Sequence, residues 1–530
     1  MKLAATSLSP PKASLKKLGK NTREKVENTY TAEIIIGICA PIGSYSSPVI
    51  DELESQLKRD YNYQVIKIKL SQFIEEFIDI SGDPLPGETN AYSILRKKIE
   101  GGNQLRMKYT NYSILAELAI ASIHEKRNQA FDISVGLPDP TDYVSRRVCY
   151  IVDSLKNQEE LLLLRSVYRG LFYLFSIYSP LKLRKETLIQ KGLSNTEVES
   201  IINTDEFENN EHGQNVRDTF TDADFFIRVG KNYRRSLSSK ITRYLNLIFD
   251  CDIITPLPHE IAMYQAKSAA HNSGCLSRQV GASITDKDYN VLATGWNDVP
   301  KFGGNLYTDR DKENDHRCKI VGNCSNDLKK GQLTSSIVDI VIKSPILQKM
   351  MKKGLPPGYL DTELAPSLES LVRNSTKIKD LIEYSRAVHA EMHAIIIGSQ
   401  QTGSKMAGGT LFCTTYPCHN CARHAILAGI NQIYFIEPYK KSLCLTLHDD
   451  SITENEREKG KLKILLYDGV GPRRFMKFFN INRSRKQPDG TLSKVNRQNV
   501  EPKIRLSLQS IPVLEQQAIH SIAEAGLIKI

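Results

Sequence analysis

The sequence has no run of about 18 or more apolar residues, so no segment is expected to cross a membrane as a helix. Residues 1–21 are rich in Lys, Ser and Pro. They lack the apolar core of about 7–15 residues that a secretory signal needs. The ten cysteines are scattered rather than regularly paired, which argues against a disulfide framework and for a reducing, cytoplasmic setting. Basic residues are not interleaved with aromatic ones in the way a single-strand nucleic-acid groove requires. No internal repeat is visible.

What is present describes an ordinary globular protein: 530 residues, 40% hydrophobic and 25% charged. The length suggests about three to four domains, but the pattern supports two large ones. The net charge of +11 has two readings. It attracts phosphates of nucleotides or nucleic acid, or it is solvated surface charge concentrated in the Lys-rich N-terminus and in residues 473–497.

Residues 1–30 read as a basic, disordered arm. Over 31–230, strand patterns alternate with helical ones. Strands are expected at 33–38, 64–68, 148–153, 171–178 and 223–228, with helices at 48–59 and 112–127. That alternation implies a mainly parallel, doubly wound sheet. Residues 231–255 read as a helix and connector. A second domain is expected over 256–500. It opens with a helix at 259–273 and a hairpin of 280–284 with 291–295, and it carries an insertion at 301–384. Residues 501–530 read as a tail.

The second domain contains His389-Ala390-Glu391 and, downstream, Pro417-Cys418-His419-Asn420-Cys421. H-x-E followed by P-C-x-x-C is the signature of zinc nucleobase deaminases. The chemistry explains the residue types. His389, Cys418 and Cys421 offer neutral imidazole and two thiolates to Zn²⁺. Three protein ligands leave the fourth tetrahedral position open to water, whose pKa the ion lowers to about 7. Cys418 and Cys421 share one helix face, and Pro417 suits the helix start. The positive end of that helix favours thiolates. Glu391 binds no metal but is close enough to move protons as general acid and base. A purely structural zinc is the bland alternative.

A strand, a Gly/Ser turn and a helix at 33–59 form the context of a phosphate-binding loop, G-x-x-x-x-G-K-[ST]. The best register runs from Ala40 to Ser47. Ala40 and Tyr45 replace the glycines, Ser46 replaces the lysine, and Ser47 is kept. Loss of the lysine argues against phosphoryl transfer. A regulatory nucleotide on Gly43, Ser44, Ser46 and Ser47 is one reading; an ordinary turn in a scaffold is the other. Asp153 lies where a second metal-binding carboxylate would stand, or caps a helix.

Other positions have paired readings too. Asn297 is a candidate for the sugar 3′-hydroxyl, or a turn residue. Tyr416 packs on the base or in the core, and Arg278 meets a phosphate or solvent. His316, Cys318 and Cys324, with His271, His424 or Cys275, resemble part of a second zinc site; buried free thiols are the alternative. Cys39, Cys149, Cys251 and Cys413 are expected in the core. Arg473 and Arg474 have no independent warrant as phosphate ligands.

Arg278-Gln279-Val280-Gly281-Ala282, Gly295-Trp296-Asn297, His389-Ala390-Glu391, the run Thr414-Thr415-Tyr416-Pro417-Cys418-His419-Asn420-Cys421 and Glu437-Pro438-Tyr439 together resemble the cytidine and deoxycytidylate deaminase family. The pairing with a degenerate phosphate loop resembles the bacterial anti-phage deoxycytidine nucleotide deaminases. The resemblance implies an α/β chain: an N-terminal doubly wound P-loop-like domain and a C-terminal cytidine-deaminase-like α/β/α domain, the latter a five-stranded mixed sheet with helices on both faces. It implies zinc, deamination of dCTP or dCMP, and substrate contacts from Asn297, Ala390, Tyr416 and Arg278. It also implies a homo-oligomer, and restraint by the N-terminal domain or by an inhibitory RNA until infection. Two other classes remain open: a deaminase of single-stranded DNA or tRNA, and a non-catalytic zinc-bearing sensor.

Overall fold

The computed structural model describes residues 21–78, 84–129, 144–207, 216–230, 234–345, 363–438 and 442–528. The chain divides into two compact units, Met1–Pro256 with Tyr467–Ile530, and Leu257–Leu466. Both are α/β. No described helix is long and apolar enough to cross a membrane.

The first unit is built on strands β1 (Ile34–Cys39), β2 (Gln64–Lys69), β3 (Val148–Asp153), β4 (Phe172–Tyr178) and β5 (Phe225–Arg228). They run parallel in the order 2-3-1-4-5. Every residue of β1 is buried, and β3 and β4 are buried except at their last residues. Continuous apolar runs are what a parallel sheet covered on both faces demands. The edge strand β2 is mostly exposed or half-buried, as an outer strand can be.

Four expectations about the chain's organisation are corrected here. The helix Arg234–Phe249 is no connector: Ile241, Tyr244, Leu245 and Ile248 lie in the same core as Ile34, Ile36 and Phe175. Residues 467–500 do not extend the second domain. Two of them, Gly469 and Val470 (β12), add antiparallel to β5, and Phe478 stacks on Phe225 at 4.7 Å. Residues 501–530 are no loose tail either. The helix Ile511–Glu524 sends Glu515 into a buried cluster with Arg127, His124 and Tyr168. The described end of the expected arm is likewise ordered, as a short helix, Thr22–Glu27, followed by a bridge from Tyr30 to Ser507. These segments were unreadable locally because their apolar faces are short and their partners lie hundreds of residues away.

The second unit holds β6 (Gly281–Thr285), β7 (Val291–Trp296), β8 (Thr410–Thr415), β9 (Gln432–Glu437), β10 (Ile452–Thr453) and β11 (Leu462–Leu466). Their order is 10-11-9-8-6-7. The hairpin β6–β7 and the pair β6–β8 are antiparallel, and the rest are parallel. The sheet is mixed, as expected, with the two-residue β10 as a sixth strand beyond the expected five.

Small residues let two helices press onto this sheet. A Cβ on Gly281 would lie 2.0 Å from the carbonyl oxygen of Ala266, in helix Pro258–Ala270. A Cβ on Gly295 would lie 2.4 Å from the carbonyl oxygen of Ala390 and 2.4 Å from the amide of Ala394, in helix Ala390–Thr402. Backbone-to-backbone approach of that kind has room only for glycine. It sets the depth at which the start of the second helix meets the sheet.

Candidate active site

Two helix starts face one another in the second unit. His389 is the N-cap of Ala390–Thr402, and Cys418 is the N-cap of His419–Leu427. Both have extended backbone angles. Pro417 therefore precedes the cap rather than opening the helix, which begins two residues later than expected. Cys418 still converges with Cys421, because its sulfur accepts the Cys421 N–H at 3.5 Å. The capping bond does the work that a shared helix face was expected to do.

The imidazole Nδ1 of His389 lies 3.3 Å from Cys418 Sγ and 3.4 Å from Cys421 Sγ. The three ligand atoms lie within 4.8 Å of one another, and among the described residues they are the only such group of three His, Cys, Asp or Glu. One imidazole nitrogen and two sulfurs at this separation fit a tetrahedral zinc with a fourth position free. Hydrogen bonding from Cys421, then the neighbouring imidazole, holds the Cys418 thiol pKa down to about 4 against burial. The paired Cys418 sulfur raises His389 to about 9. The same pairing, together with burial, pushes Cys421 well up. Binding a cation needs all three ligands deprotonated and so releases protons.

Glu391 stands in the first turn of its helix, 4% exposed. Burial raises its carboxyl pKa, opposed by the charge of His389. It is not a member of the metal group, yet it lines the same cavity as His389 and Cys418. That cavity, of about 190 Å³, also takes in Ala390, Asn297, Arg278 and Tyr416. The structure therefore brings all four expected substrate contacts to one pocket.

Their side chains are not equally free. Asn297 accepts the Val280 N–H at 2.7 Å and donates to the Arg278 carbonyl at 2.9 Å, pinning the loop before β6. Arg278 pairs with Glu437 at 2.9 Å. Tyr416 packs edge-on to Phe435 and hydrogen-bonds Glu454 at 3.3 Å, so it is both core and wall. Tyr439, quoted with Glu437 and Pro438, lies outside the described residues.

The other candidates part ways. His316, Cys318 and Cys324 do not form a second metal group among the described residues, either with one another or with His271, His424 or Cys275. Cys318, Cys324 and Cys275 instead line the active-site pocket. The insertion was not expected there, since its distance in sequence from the motif hides the contact. Cys39, Cys149, Cys251 and Cys413 are buried. Arg474 is a core residue, paired with Asp224 at 3.0 Å and donating to the Phe172 carbonyl at 2.7 Å.

In the first unit, the loop after β1 is filled from within. Ile42 N donates to Asp205 at 2.7 Å, Ser44 N to Pro41, Tyr45 N to Ser179 Oγ and Ser46 N to Ser44. Lys156 bridges Asp205 and the Ala40 carbonyl. Gly43 has φ +80 and abuts Arg184. The amides of Ile42, Ser44, Tyr45 and Ser46 in the expected phosphate loop are thus engaged within the protein. Asp153 does not cap the next helix, whose N-cap is Asn157.

Residues 257–437 match the family model for the cytidine and deoxycytidylate deaminase zinc-binding region. The chain is 24% identical over 173 residues to the deoxycytidylate deaminase of Enterobacteria phage T4, covering 33% of this chain and 74% of that protein. It is 41% identical over 56 residues to ComE operon protein 2 of Bacillus subtilis (strain 168), 11% of this chain and 29% of that one. The apo crystal structure of dCMP deaminase from cyanophage S-TIM5 is 14% identical, covers 40% of this chain and 100% of its own, and aligns with a TM-score of 0.21. The second unit thus carries a cytidine/deoxycytidylate deaminase family domain, with a zinc-binding region at His389, Cys418 and Cys421.

Proposed function

We propose that the chain is a zinc-dependent hydrolase that deaminates deoxycytidine nucleotides, dCMP or dCTP, to the corresponding deoxyuridine nucleotides. The observation that carries this is the buried, non-ligating Glu391 beside a His/Cys/Cys metal group in one cavity. Zinc, when bound, supplies Lewis-acid activation of water at neutral pH. Glu391 takes one proton from the attacking water and delivers it to N3 of cytosine, then takes the second from the hydroxyl now on C4 and delivers it to the departing ammonia. Burial suits it to both tasks, because a raised carboxyl pKa lies nearer the operating pH. Asn297 positions the loop that carries Arg278, and Tyr416 closes the pocket wall.

The relatives named deoxycytidylate deaminase support the substrate class. The cavity is partly open and is lined in part by the insertion. The proposed biological role is depletion of deoxycytidine nucleotides during phage infection; it rests on the resemblance of the two-unit chain. A homo-oligomer, and control by a nucleotide or an RNA, rest on that resemblance as well.

The test is ammonia release from dCMP, dCTP, CTP and a cytosine-containing single strand with zinc-loaded protein. Release from dCMP or dCTP is expected; release from the strand alone overturns the reading. For the biological role, cells expressing the chain should lose deoxycytidine nucleotides on infection. Pools that stay level would overturn that part.

A further inference from the structure

The turn that follows β7 touches both the insertion and the helix Ala390–Thr402. Its residue Asp298 is 1% exposed. A carboxylate buried that deeply needs hydrogen bonds and a countercharge, and Asp298 has both. Its oxygens accept the Gly274 N–H and the Val299 N–H, each at 2.9 Å. The buried guanidinium of Arg317, from the insertion, stands 3.8 Å away. Arg317 is held in turn by Asp315 at 2.6 Å and by Asp309. The main chain of Asp298 serves the metal side. Its carbonyl accepts the Val388 N–H at 3.0 Å, in an antiparallel bridge. Val388 directly precedes the ligand His389. On the other side of the turn, His393 Nδ1 accepts the Trp296 N–H at 3.2 Å. That leaves its Nε2–H to donate to Asn305 Oδ1, at 3.1 Å. The insertion thus meets residues 296–298 and the helix of His389 at two points, Arg317 and Asn305.

We infer that Asp298 is a positioning residue for the metal ligand His389, and that the insertion sets it through Arg317. The inference rests on the metal site of the deaminase reading, not on its substrate. It gives the insertion a role: to hold the main chain before His389 where three ligands can converge on one ion. The pair is unequal. Without Asp298, Arg317 keeps Asp315 and Asp309; without Arg317, Asp298 loses the cation paired with it. Breaking the pair from the Arg317 side leaves a buried carboxylate uncompensated and does the greater harm.

The experiment uses the full chain as wild type, Asp298→Ala, Asp298→Asn, Arg317→Met and Arg317→Lys. Competition with a chelator reads zinc affinity, and the absorption spectrum of the cobalt-loaded protein reads the geometry of the site. Thermal melts of the metal-free protein read overall stability. Asp298→Ala should weaken zinc binding by about 10- to 100-fold and shift the cobalt bands, as losing a residue behind a metal ligand does. Asp298→Asn, which retains one acceptor, should lose less. Arg317→Met should lose more than Asp298→Asn, and Arg317→Lys should recover part of that loss. Wild-type zinc affinity and cobalt spectra in both Asp298→Ala and Arg317→Met overturn the inference even if their melts fall, because the pair would then be structural only. Neither readout needs turnover. A wild type that binds zinc but releases no ammonia from dCMP or dCTP overturns the deaminase reading alone, and metal binding still decides this inference. A wild type that takes up no zinc overturns both. Should Asp298→Ala or Arg317→Met fail to fold, Asp298→Asn and Arg317→Lys decide by the same two measurements.

Discussion

Replacing Glu391 with glutamine isolates proton transfer from every other property of the site. Glutamine matches the shape of the carboxylate and keeps the first helical turn filled, but it accepts no proton from water. Glu391 is 4% exposed, so a buffer ion has little access to replace it. Losing a positioned general base lowers turnover by about 10²–10⁴-fold, or about 2.7–5.4 kcal/mol in the barrier. Zinc content should stay at one per chain, because Glu391 lies outside the metal group. Stability should not fall, because a neutral amide replaces a carboxylate that burial disfavours. The assay is single-turnover ammonia release from dCMP beside zinc analysis and a thermal melt. A loss of less than about tenfold would refute Glu391 as the proton carrier. Loss of zinc along with activity would make it part of the metal site instead.

Three further outcomes are expected. Cys418→Ala removes a ligand and the cap of helix His419–Leu427 at once, so zinc binding and turnover should both disappear, and the melting temperature should fall; metal analysis and calorimetry check this. Gly295→Ala places a methyl 2.4 Å from the backbone of Ala390 and Ala394. It should destabilise the second unit by about 1–3 kcal/mol and reduce zinc affinity, as titration with a chelator would show. Glu515→Gln strips a buried partner from Arg127, which keeps only Glu33. A broken buried pair of this kind costs about 3 kcal/mol or more, read as a shift of the urea midpoint. Burial alone would raise the pKa of Glu515, but Arg127 and then His124 outweigh it and hold it below the ordinary value. A depressed pKa means this stability is complete above the unfolded-state pKa of about 4.3. It drains away as pH falls through the folded value, and the variant should lose that acid dependence.

The site was largely legible because its chemistry needs particular residue types close together in sequence. His389 and Glu391 sit two positions apart, which places a metal ligand and the proposed proton carrier at one helix start. Cys418 and Cys421 sit three apart because a cap and the first helical turn converge on one ion. What the spacing could not reveal was which of these residues cap. Pro417 looked like the helix start, yet Cys418 is the N-cap and its sulfur accepts the capping bond.

The fold was legible where strands are buried on both faces. The runs at β1, β3 and β4 are continuous and apolar, and burial of that kind leaves no other pattern. It was not legible where an element's partner is distant. Helix Arg234–Phe249 read as a connector because its apolar stripe says that it is buried but not against what. Residues 467–528 read as a domain end and a tail because Val470, Phe478 and Glu515 find their partners only at Phe225 and Arg127. The phosphate-loop pattern likewise carries no sign of Asp205 and Lys156, distant in sequence, which bind the Ile42 amide and the Ala40 carbonyl.

By itself, then, the sequence determined the His/Cys/Cys metal group and the α/β class, and pointed to the proposed proton carrier, since these depend on residue type and short-range periodicity. Tertiary structure alone decided that the insertion walls the pocket, that its Arg317 pairs with Asp298, and that the chain's last segment completes the first unit. Those outcomes depend on contacts between distant residues. Such contacts are chosen by packing and electrostatics in three dimensions, and they leave no periodic trace along the chain.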